Sequence, residues 1–227
     1  SSLTTNFVNV ISHLQGKKTT PDKIAIQAYK IGHDILKWGI GKQDEYASAF
    51  GGLNLYKFTK NKVIVKPINL KKSTAKELQD NSLLFRLGDR EHSKGILQSQ
   101  IKSINQSNKT TILALHKAKE LAIEMYDSLK ENDLTKFSDI LNRGWEAKRD
   151  YTKGVSNKRI EMVSKKATEN GAQALKVTGA GGGGHFFIYA NPSKHNSIIK
   201  SLKKLGVNNV DFKYQNQGSR VFEINNL

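Results

Sequence analysis

The chain has 227 residues, 37% of them hydrophobic and 25% charged, so it is long enough to fold around one large core or two small ones. It contains no cysteine, which excludes disulfides, cysteine metal sites and thiol catalysis and fits a cytoplasmic protein, and it shows no signal sequence and no apolar run that would span a bilayer. The 37 Lys and Arg outnumber the 20 Asp and Glu, and the net charge of +17 favours phosphorylated ligands, nucleic acid or an anionic membrane as partners.

The first third of the chain is predicted to contain helices followed by a hairpin. One face of the first helix carries the apolar residues Leu3, Phe7, Val10 and Leu14. A second helix begins at Thr20-Pro21, with Thr20 as its N-cap and Pro21 at the first helical position. After a loop and a short helix, alternating apolar residues over 53–58 and 63–68 predict a β-hairpin.

A polar stretch from Lys71 to Asp80 is the best candidate for a domain boundary, and it predicts domains over residues 1–75 and 76–227. The second domain is predicted to begin with a strand over 81–88 and a helical region over about 93–170, whose last helix Ser156 caps. The later elements are strands over 174–178 and 185–190, a helix from Pro192, and strands over 210–214 and 220–224. This order predicts an α+β fold, with helices on one face of a small antiparallel sheet.

The most unusual stretch is the run Gly179-Ala180-Gly181-Gly182-Gly183-Gly184, which lies between two predicted strands. Glycine loses more backbone entropy on folding than any other residue, so such a run is typical of a place where an anionic ligand approaches the backbone closely. A dinucleotide-binding loop needs a helix after the run, and a P-loop needs Lys and Ser or Thr where His185 and Phe186 stand. The residues alone therefore leave an anion-binding loop of another kind or a flexible hairpin.

Asp44 is the acid best suited to chemistry, because it follows Gly41-Lys42-Gln43 at the end of a loop. Lys42 would hold its carboxylate ionised, and a carboxylate that accepts a hydroxyl proton suits phosphoryl transfer. The same pattern is typical of a helix N-cap, which the residues alone favour. The histidines do not have the spacing of metal ligands, which argues against a zinc site.

Taken together, these stretches resemble the GHMP kinases, the superfamily of galactokinase and of homoserine, mevalonate and phosphomevalonate kinases. Residues 176–184 are similar to its glycine-rich third motif, and residues 41–52 resemble the segment that carries its catalytic aspartate. Ser1-Ser2-Leu3-Thr4 resembles the end of its second motif, a phosphate loop. Further stretches resemble the heptose-phosphate kinase branch of the bacterial sugar kinases, namely 96–100, 145–148, 156–160 and 218–221.

The resemblance covers essentially the whole chain and implies the two-layer GHMP kinase architecture. It implies that the chain begins inside the second motif, so that the N-terminal domain is incomplete. The C-terminal domain is expected to be a ferredoxin-like α/β sandwich with extra helices. Members of the family usually have a glutamate that helps to hold magnesium near the position of Gly32, and Asp34 is the nearest acid to that position here.

The activity that the resemblance implies is ATP-dependent phosphorylation of a sugar or sugar phosphate. In the heptose branch it acts at the anomeric oxygen, in the synthesis of nucleotide-activated heptose for surface polysaccharide. Asp44 would accept or orient the hydroxyl proton, Lys42 would tune Asp44 or meet phosphate, and Ser2 with Asp34 would hold Mg²⁺. Nucleotide and phosphate binding would fall to Ser1, Ser2, Thr178, Gly179, Ala180, Gly181, Gly182 and Gly183.

The partners that the resemblance implies are a small sugar phosphate and a nucleotide, without a membrane, and a homodimer stays open. Two other functions also stay open. One is a GHMP-like protein that binds ligand without catalysis, which Gly32 suggests. The other is a basic nucleic-acid binder, against which the scarcity of aromatic residues, 8% of the chain, argues.

Overall fold

The computed structural model describes residues 1–88 and 93–223 of the chain. They fall into two compact units. The first unit comprises Ser1–Ile68 with Tyr214–Leu227, and the second comprises Asn69–Lys213. The predicted domains, 1–75 and 76–227, place the boundary a few residues later and assign the C-terminal segment to the second domain.

Backbone contacts tie the C-terminal segment to the first unit. The Gly52 N–H donates to the carbonyl of Gln215 over 2.8 Å, and the Ser219 N–H donates to the carbonyl of Ser48 over 3.1 Å. The segment was predicted to contain a strand over 220–224. Residues 220–223 form no strand, and Ile224 lies outside the described residues.

In its described residues the first unit contains helices, a π-helical turn and a hairpin. The elements are α1 (Ser2–Leu14), α2 (Pro21–Lys30), the π-helical turn Ile31–Ile35, α3 (Gln43–Phe50), β1 (Asn54–Phe58) and β2 (Val63–Pro67). The start of α2 confirms the prediction, because the Thr20 side chain accepts from the Lys23 N–H over 3.3 Å and Pro21 occupies the first turn. The two strands pair antiparallel, so the predicted hairpin is also confirmed.

The core of the first unit lies between α1, α2 and α3. It consists of the buried residues Val8, Ile24, Ala25, Ala28, Tyr46 and Ala49. The predicted helix α1 is present, but the face expected to be buried is wrong: Leu3 and Phe7 are 81% and 63% exposed, whereas Thr5 and Asn9 are buried. The buried polar side chains are satisfied, since Thr5 donates to the carbonyl of Ser1 over 2.8 Å and Asn9 donates to Ser219 over 3.0 Å.

The second unit alternates strands and helices. Its elements are α4 (Lys72–Asp80), β3 (Ser82–Gly88), α5 (Ser93–Asn105), α6 (Lys109–Glu131), α7 (Leu134–Arg149), α8 (Lys158–Glu169), β4 (Ala174–Val177), β5 (Gly184–Tyr189), α9 (Pro192–Lys203) and β6 (Asn208–Val210). Within the described ranges of both units, no helix combines the length and the apolar character needed to cross a membrane.

The four strands of the second unit form one antiparallel sheet in the order β4-β5-β3-β6. The first and third strands in sequence, β3 and β5, are therefore central, and β4 and β6 lie at the edges. This is the ferredoxin-like arrangement, elaborated by the additional helices α5 to α7, so the predicted α+β class is confirmed. The tight connection from β4 to β5 is the glycine run.

One face of the sheet carries the main core. Alternation along the strands directs Leu83, Phe85, Leu175, Val177, Phe186 and Ile188 toward this core. Helices α8 and α9 supply the buried residues Ile160, Val163, Ile198 and Leu202 to the same cluster. The register of β4 and β5 is thereby fixed, and with it the position of the loop between them.

In the second unit the polar stretch proposed as a domain boundary is helical, and two predicted element positions are wrong. The polar stretch 71–80 forms α4, because Thr74 and Leu78 give it a buried stripe. The N-cap of α8 is Asn157 rather than Ser156, since the Asn157 side chain accepts from the Ile160 N–H over 3.0 Å. The strand predicted over 210–214 is Asn208–Val210, which pairs with β3 through only these residues.

Candidate functional site

The loop between β4 and β5, Thr178–Gly183, is named the glycine loop below. The Thr178 N–H donates to the carbonyl of His185 over 2.9 Å and closes the loop at its base. Gly179, Gly181 and Gly182 have φ angles of 70°, 102° and 74°, a region that side chains disfavour.

A neighbouring segment, residues 151–157, packs directly on the glycine loop. A Cβ atom on Gly181 would lie 2.8 Å from the carbonyl oxygen of Val155, and one on Gly182 would lie 2.5 Å from Cδ1 of Ile96. The Gly182 N–H donates to the Val155 carbonyl over 2.9 Å, and the Asn157 amide donates to the Gly182 carbonyl over 3.2 Å. Glycine is therefore required at position 181 by close packing against backbone as well as by its own backbone conformation.

Backbone N–H groups of the glycine loop are left available for a ligand. Within residues 1–88 and 93–223, the N–H groups of Gly179, Ala180, Gly181 and Gly183 have no acceptor. Gly181 and Gly183 are also buried. A buried N–H without an acceptor costs about 1–3 kcal/mol, and consecutive free N–H groups form a concave site for anions. This geometry suits a phosphate group.

Helix α7 holds the strand that leads into the glycine loop. The Asn142 side chain accepts from the Leu175 N–H over 3.2 Å and donates to the carbonyl of Gln173 over 2.8 Å. Near the C-terminal end of α7, the buried Lys148 donates from its ammonium to two carbonyls. These are the carbonyl of Val177, at 3.3 Å, and that of Gly179. Lys148 was not among the predicted site residues, although it lies in a stretch that resembles the heptose-phosphate kinases.

The segment 151–157, which packs on the glycine loop, is stabilised by contacts with Glu161 in the first turn of α8. The Ser156 hydroxyl donates to Oε1 of Glu161 over 2.5 Å, and Nη2 of Arg149 lies 2.8 Å from the same oxygen. Arg149 directly follows Lys148 at the end of α7. The C-terminal turn of α7 therefore orders both the glycine loop and the segment beneath it.

In the first unit, Asp44 and Lys42 lie at the start of α3. Lys42 occupies the N-cap position and Asp44 lies in the first turn, so the interpretation of Asp44 as the N-cap is wrong. A carboxylate in the first turn is stabilised by the helix dipole. Asp44 is exposed, and the ammonium of Lys42 lies 5.2 Å from the ring centre of Tyr29.

Tyr29 connects Lys42 with the predicted metal ligand Asp34. Its ring stacks on His33 with centroids 4.9 Å apart, and Nδ1 of His33 lies 2.7 Å from Oδ1 of Asp34. This hydrogen bond lowers the pKa of Asp34, and burial followed by the Asp34 and Glu45 carboxylates raises the pKa of Tyr29. The structure thus places Lys42 against Tyr29 and Asp34 against His33, the two members of one stacked pair.

Ser1 and Ser2 lie at the N-terminus of α1. Ser2 is exposed at the first helical position, and Ser1 does not cap the helix with its side chain but donates from Oγ to Oε1 of Glu45 over 2.8 Å. The first-turn N–H groups of α1 therefore lack a side-chain cap, which suits an anion. Glu45 was not predicted as a site residue.

Glu45 provides an oxygen that a cation would satisfy. The side chain is only 2% exposed, and its Oε2 has no hydrogen-bond partner among the described residues. Carboxylate and hydroxyl oxygens are ligands that Mg²⁺ prefers, commonly with phosphate and water oxygens completing the shell. The described residues contain no group of three or more His, Cys, Asp or Glu suited to a metal ion.

The chain is similar in sequence to known kinases. The family model for the GHMP kinases C terminal region matches residues 125–208, which include α7 and the glycine loop. The chain is 34% identical over 203 residues to the D-glycero-alpha-D-manno-heptose 7-phosphate kinase of Campylobacter jejuni. That alignment covers 89% of this chain and 59% of the relative.

Solved structures show the same fold. A candidate sugar kinase from Campylobacter jejuni superposes with a TM-score of 0.71 at 28% identity, covering 96% of this chain and 62% of the other. A D-glycero-D-manno-heptose 1-phosphate kinase from Bacteroides thetaiotaomicron gives a TM-score of 0.69 at 25% identity, covering 94% and 60%. The chain therefore spans about three fifths of the length of these relatives.

Proposed function

This chain carries a GHMP kinase C-terminal domain and has the GHMP kinase fold, and on that premise we propose that the protein containing it phosphorylates a sugar or sugar phosphate with ATP. The acceptor we propose is D-glycero-D-manno-heptose 7-phosphate, at its anomeric hydroxyl. The 34% identity to a kinase named for that substrate supports this choice. The product would be consumed in making nucleotide-activated heptose for surface polysaccharide.

The observation that carries the proposal is the set of free N–H groups in the glycine loop. Phosphoryl transfer requires the protein to hold negatively charged oxygens in place and to stabilise the charge that develops on them. Gly179, Ala180, Gly181 and Gly183 offer fixed donors for this purpose at no cost in reorganisation. Together with Thr178 and Gly182, these residues form the phosphate-binding loop that we propose.

We assign the proton transfer to Asp44. The sugar hydroxyl oxygen would attack the γ-phosphorus of ATP, the bond from that phosphorus to the leaving ADP oxygen would break, and the hydroxyl proton would pass to the Asp44 carboxylate. The exposure of Asp44 at the start of α3 leaves it accessible to a substrate. The position of Lys42 over Tyr29, rather than at a carboxylate, favours a contact with phosphate over tuning of Asp44.

The N-terminus of α1 would bind the nucleotide through Ser1, Ser2 and the first-turn N–H groups. Magnesium, when bound with ATP, would neutralise charge on the phosphates. The residues that would hold it are Ser2 and Asp34, as the resemblance implies, with Glu45 as a further candidate because its Oε2 lacks a partner in the described chain. The remaining ligands would come from phosphate and water.

Release of ADP from ATP in the presence of D-glycero-D-manno-heptose 7-phosphate tests the proposal on the intact protein. We expect turnover by the unmodified protein and a loss on the order of a hundredfold or more in Asp44→Asn, since that change removes the proton acceptor while keeping the side chain's shape. Asp127→Asn is a matched control, because Asp127 is exposed on α6. Equal rates in the unmodified protein and Asp44→Asn would refute the role of Asp44.

The same assay separates catalysis from binding alone. Turnover of the heptose phosphate, with little turnover of unphosphorylated sugars, would support the proposed substrate. Turnover of a different sugar would support the proposed kinase activity but identify another acceptor. Nucleotide binding without turnover on a broad panel of sugars and sugar phosphates would favour a ligand-binding protein instead.

A further inference from the structure

Lys176 lies on the strand that leads directly into the glycine loop, but on the face of the sheet opposite the core. Its neighbours Leu175 and Val177 are 7% and 0% exposed in the core cluster, and alternation along β4 places Lys176 on the other face. Lys176 pairs in register with Phe187 on β5. Lys176 was not assigned a role by the sequence.

The sheet face around Lys176 is basic. His185 lies on this face two residues before Phe187, and Arg86 pairs in register with His185. The other residues that β3, β4, β5 and β6 direct to this face are apolar or neutral: Ser82, Leu84, Ala174, Tyr189, Asn208 and Val210. The strands therefore bring no carboxylate to Lys176.

The charged form of Lys176 is disfavoured in the structure, because its ammonium is removed from water without gaining a partner among the described residues. Burial lowers its pKa, and no hydrogen bond or ion pair to its side chain exists among the residues that the structure describes. Removing an ammonium from water without a partner disfavours its charged form. An anion would restore the missing interaction.

We infer that Lys176 binds a phosphate group, next to the free N–H groups of the glycine loop. Three features support the inference: the partly buried ammonium without a partner in the described residues, the lack of a carboxylate among the described strand residues that share its face, and the direct connection of β4 to the loop. The inference rests on the proposed kinase function and adds a residue to its binding site. The phosphate group could belong to either of two molecules, the nucleotide or the phosphorylated sugar.

Calorimetric titration of the intact protein with ADP, and separately with D-glycero-D-manno-heptose 7-phosphate, distinguishes these two sources. We expect Lys176→Met to weaken the binding of one of them about tenfold, the size of one charge-assisted hydrogen bond. Lys176→Arg should recover part of that affinity. Lys200→Met, on the exposed side of α9, is the control for loss of one positive charge.

Unfolding in urea decides whether Lys176 acts on the ligand or on the fold. Because Met replaces a buried charge with an apolar chain of similar length, we expect the unfolding midpoint of Lys176→Met to equal or exceed that of the unmodified protein. Loss of ADP affinity alone would identify the nucleotide phosphate, and loss of sugar phosphate affinity alone would identify the acceptor phosphate. Unchanged affinity for both ligands, or a lowered unfolding midpoint, would overturn the inference.

This outcome is independent of the outcome for the proposed function. If the unmodified protein turns over sugar and Lys176→Met binds both ligands normally, only the assignment of Lys176 fails. If the unmodified protein binds ADP but phosphorylates no sugar, the proposed function fails, and the ADP titration still tests Lys176.

Discussion

Lys148 is the residue through which α7 acts on the glycine loop. Its ammonium is the donor to the carbonyls of Val177 and Gly179. We expect Lys148→Met to lower the free energy of unfolding by about 2 kcal/mol, since the carbonyl of the buried Val177 and that of Gly179 lose a charged donor. We also expect it to weaken ADP binding, because the loop loses its fixed conformation.

Amide hydrogen exchange of the glycine loop, followed by mass spectrometry, measures this effect directly. Faster exchange in Lys148→Met than in Lys200→Met would support a positioning role, and Lys148→Arg should restore part of the protection. Exchange rates that match those of the unmodified protein would show that the loop does not depend on Lys148.

Candidate site residues inside short motifs can be proposed from the sequence, and residues that act through tertiary contacts cannot. Asp44 and the glycine loop carry their pattern within a few consecutive positions. Lys148, in contrast, meets Val177 across 29 positions of sequence, and the partner of Glu45 is 44 positions away. A glutamate in the first turn of a helix is normally exposed, so nothing local predicts the burial of Glu45.

At the scale of elements, the glycine loop and helix α7 each contain a glycine that allows a controlled comparison. Gly181 has a φ of 102° and no room for a side chain, whereas a Cβ on Gly144 in α7 would meet no atom within 4 Å. We expect Gly181→Ala to lower the free energy of unfolding by about 1–3 kcal/mol and to weaken ADP binding. Gly144→Ala should instead stabilise the protein by up to about 1 kcal/mol.

Chemical denaturation and ADP titration of both variants check this prediction. The comparison is informative because the two substitutions are identical in chemistry and differ only in backbone conformation and space. A Gly181→Ala variant as stable and as tight in binding as Gly144→Ala would contradict the packing of Val155 on the loop.

Elements with strong local patterns were predicted well, and those decided by packing were not. The Thr20-Pro21 start of α2 and the strands β3, β4 and β5 follow from capping and alternation. The helix α4 was missed because only Thr74 and Leu78 are buried in it, which is too sparse a pattern to separate from a polar linker. The buried face of α1 was wrong because hydrogen bonds satisfy Thr5 and Asn9, so that polar residues pack where apolar ones were expected.

At the scale of the whole molecule, we expect the net charge of +17 to increase the rate at which the protein associates with anionic substrates. Raising the salt from about 0.05 M to about 0.3 M shortens the range of this attraction. With ATP saturating, we expect kcat/KM for the sugar phosphate to fall several-fold and kcat to change little. Steady-state kinetics across this range checks the prediction, and values of kcat/KM that do not depend on salt would contradict it.

The α+β class of the second unit was predictable because the order of strands and helices permits few alternatives, whereas its ferredoxin-like arrangement was expected from the family resemblance. The grouping of residues from Tyr214 onward with the first unit was not. It depends on backbone contacts such as Ser219 with Ser48, which carry no sequence preference. The resemblance to the GHMP kinases predicted the architecture. The hydrogen bonds and close contacts around the glycine loop explain why glycines occur there.

The hydrogen bonds from Asn142 and Lys148 have a consequence beyond the site. Strand β4 lies at the edge of the sheet, where unpaired N–H and C=O groups would invite another chain to add a strand. Asn142 occupies the exposed groups of Leu175 and Gln173, and Lys148 occupies those of Val177 and Gly179. The side chains of α7 that shape the loop thereby also protect the protein against edge-to-edge aggregation.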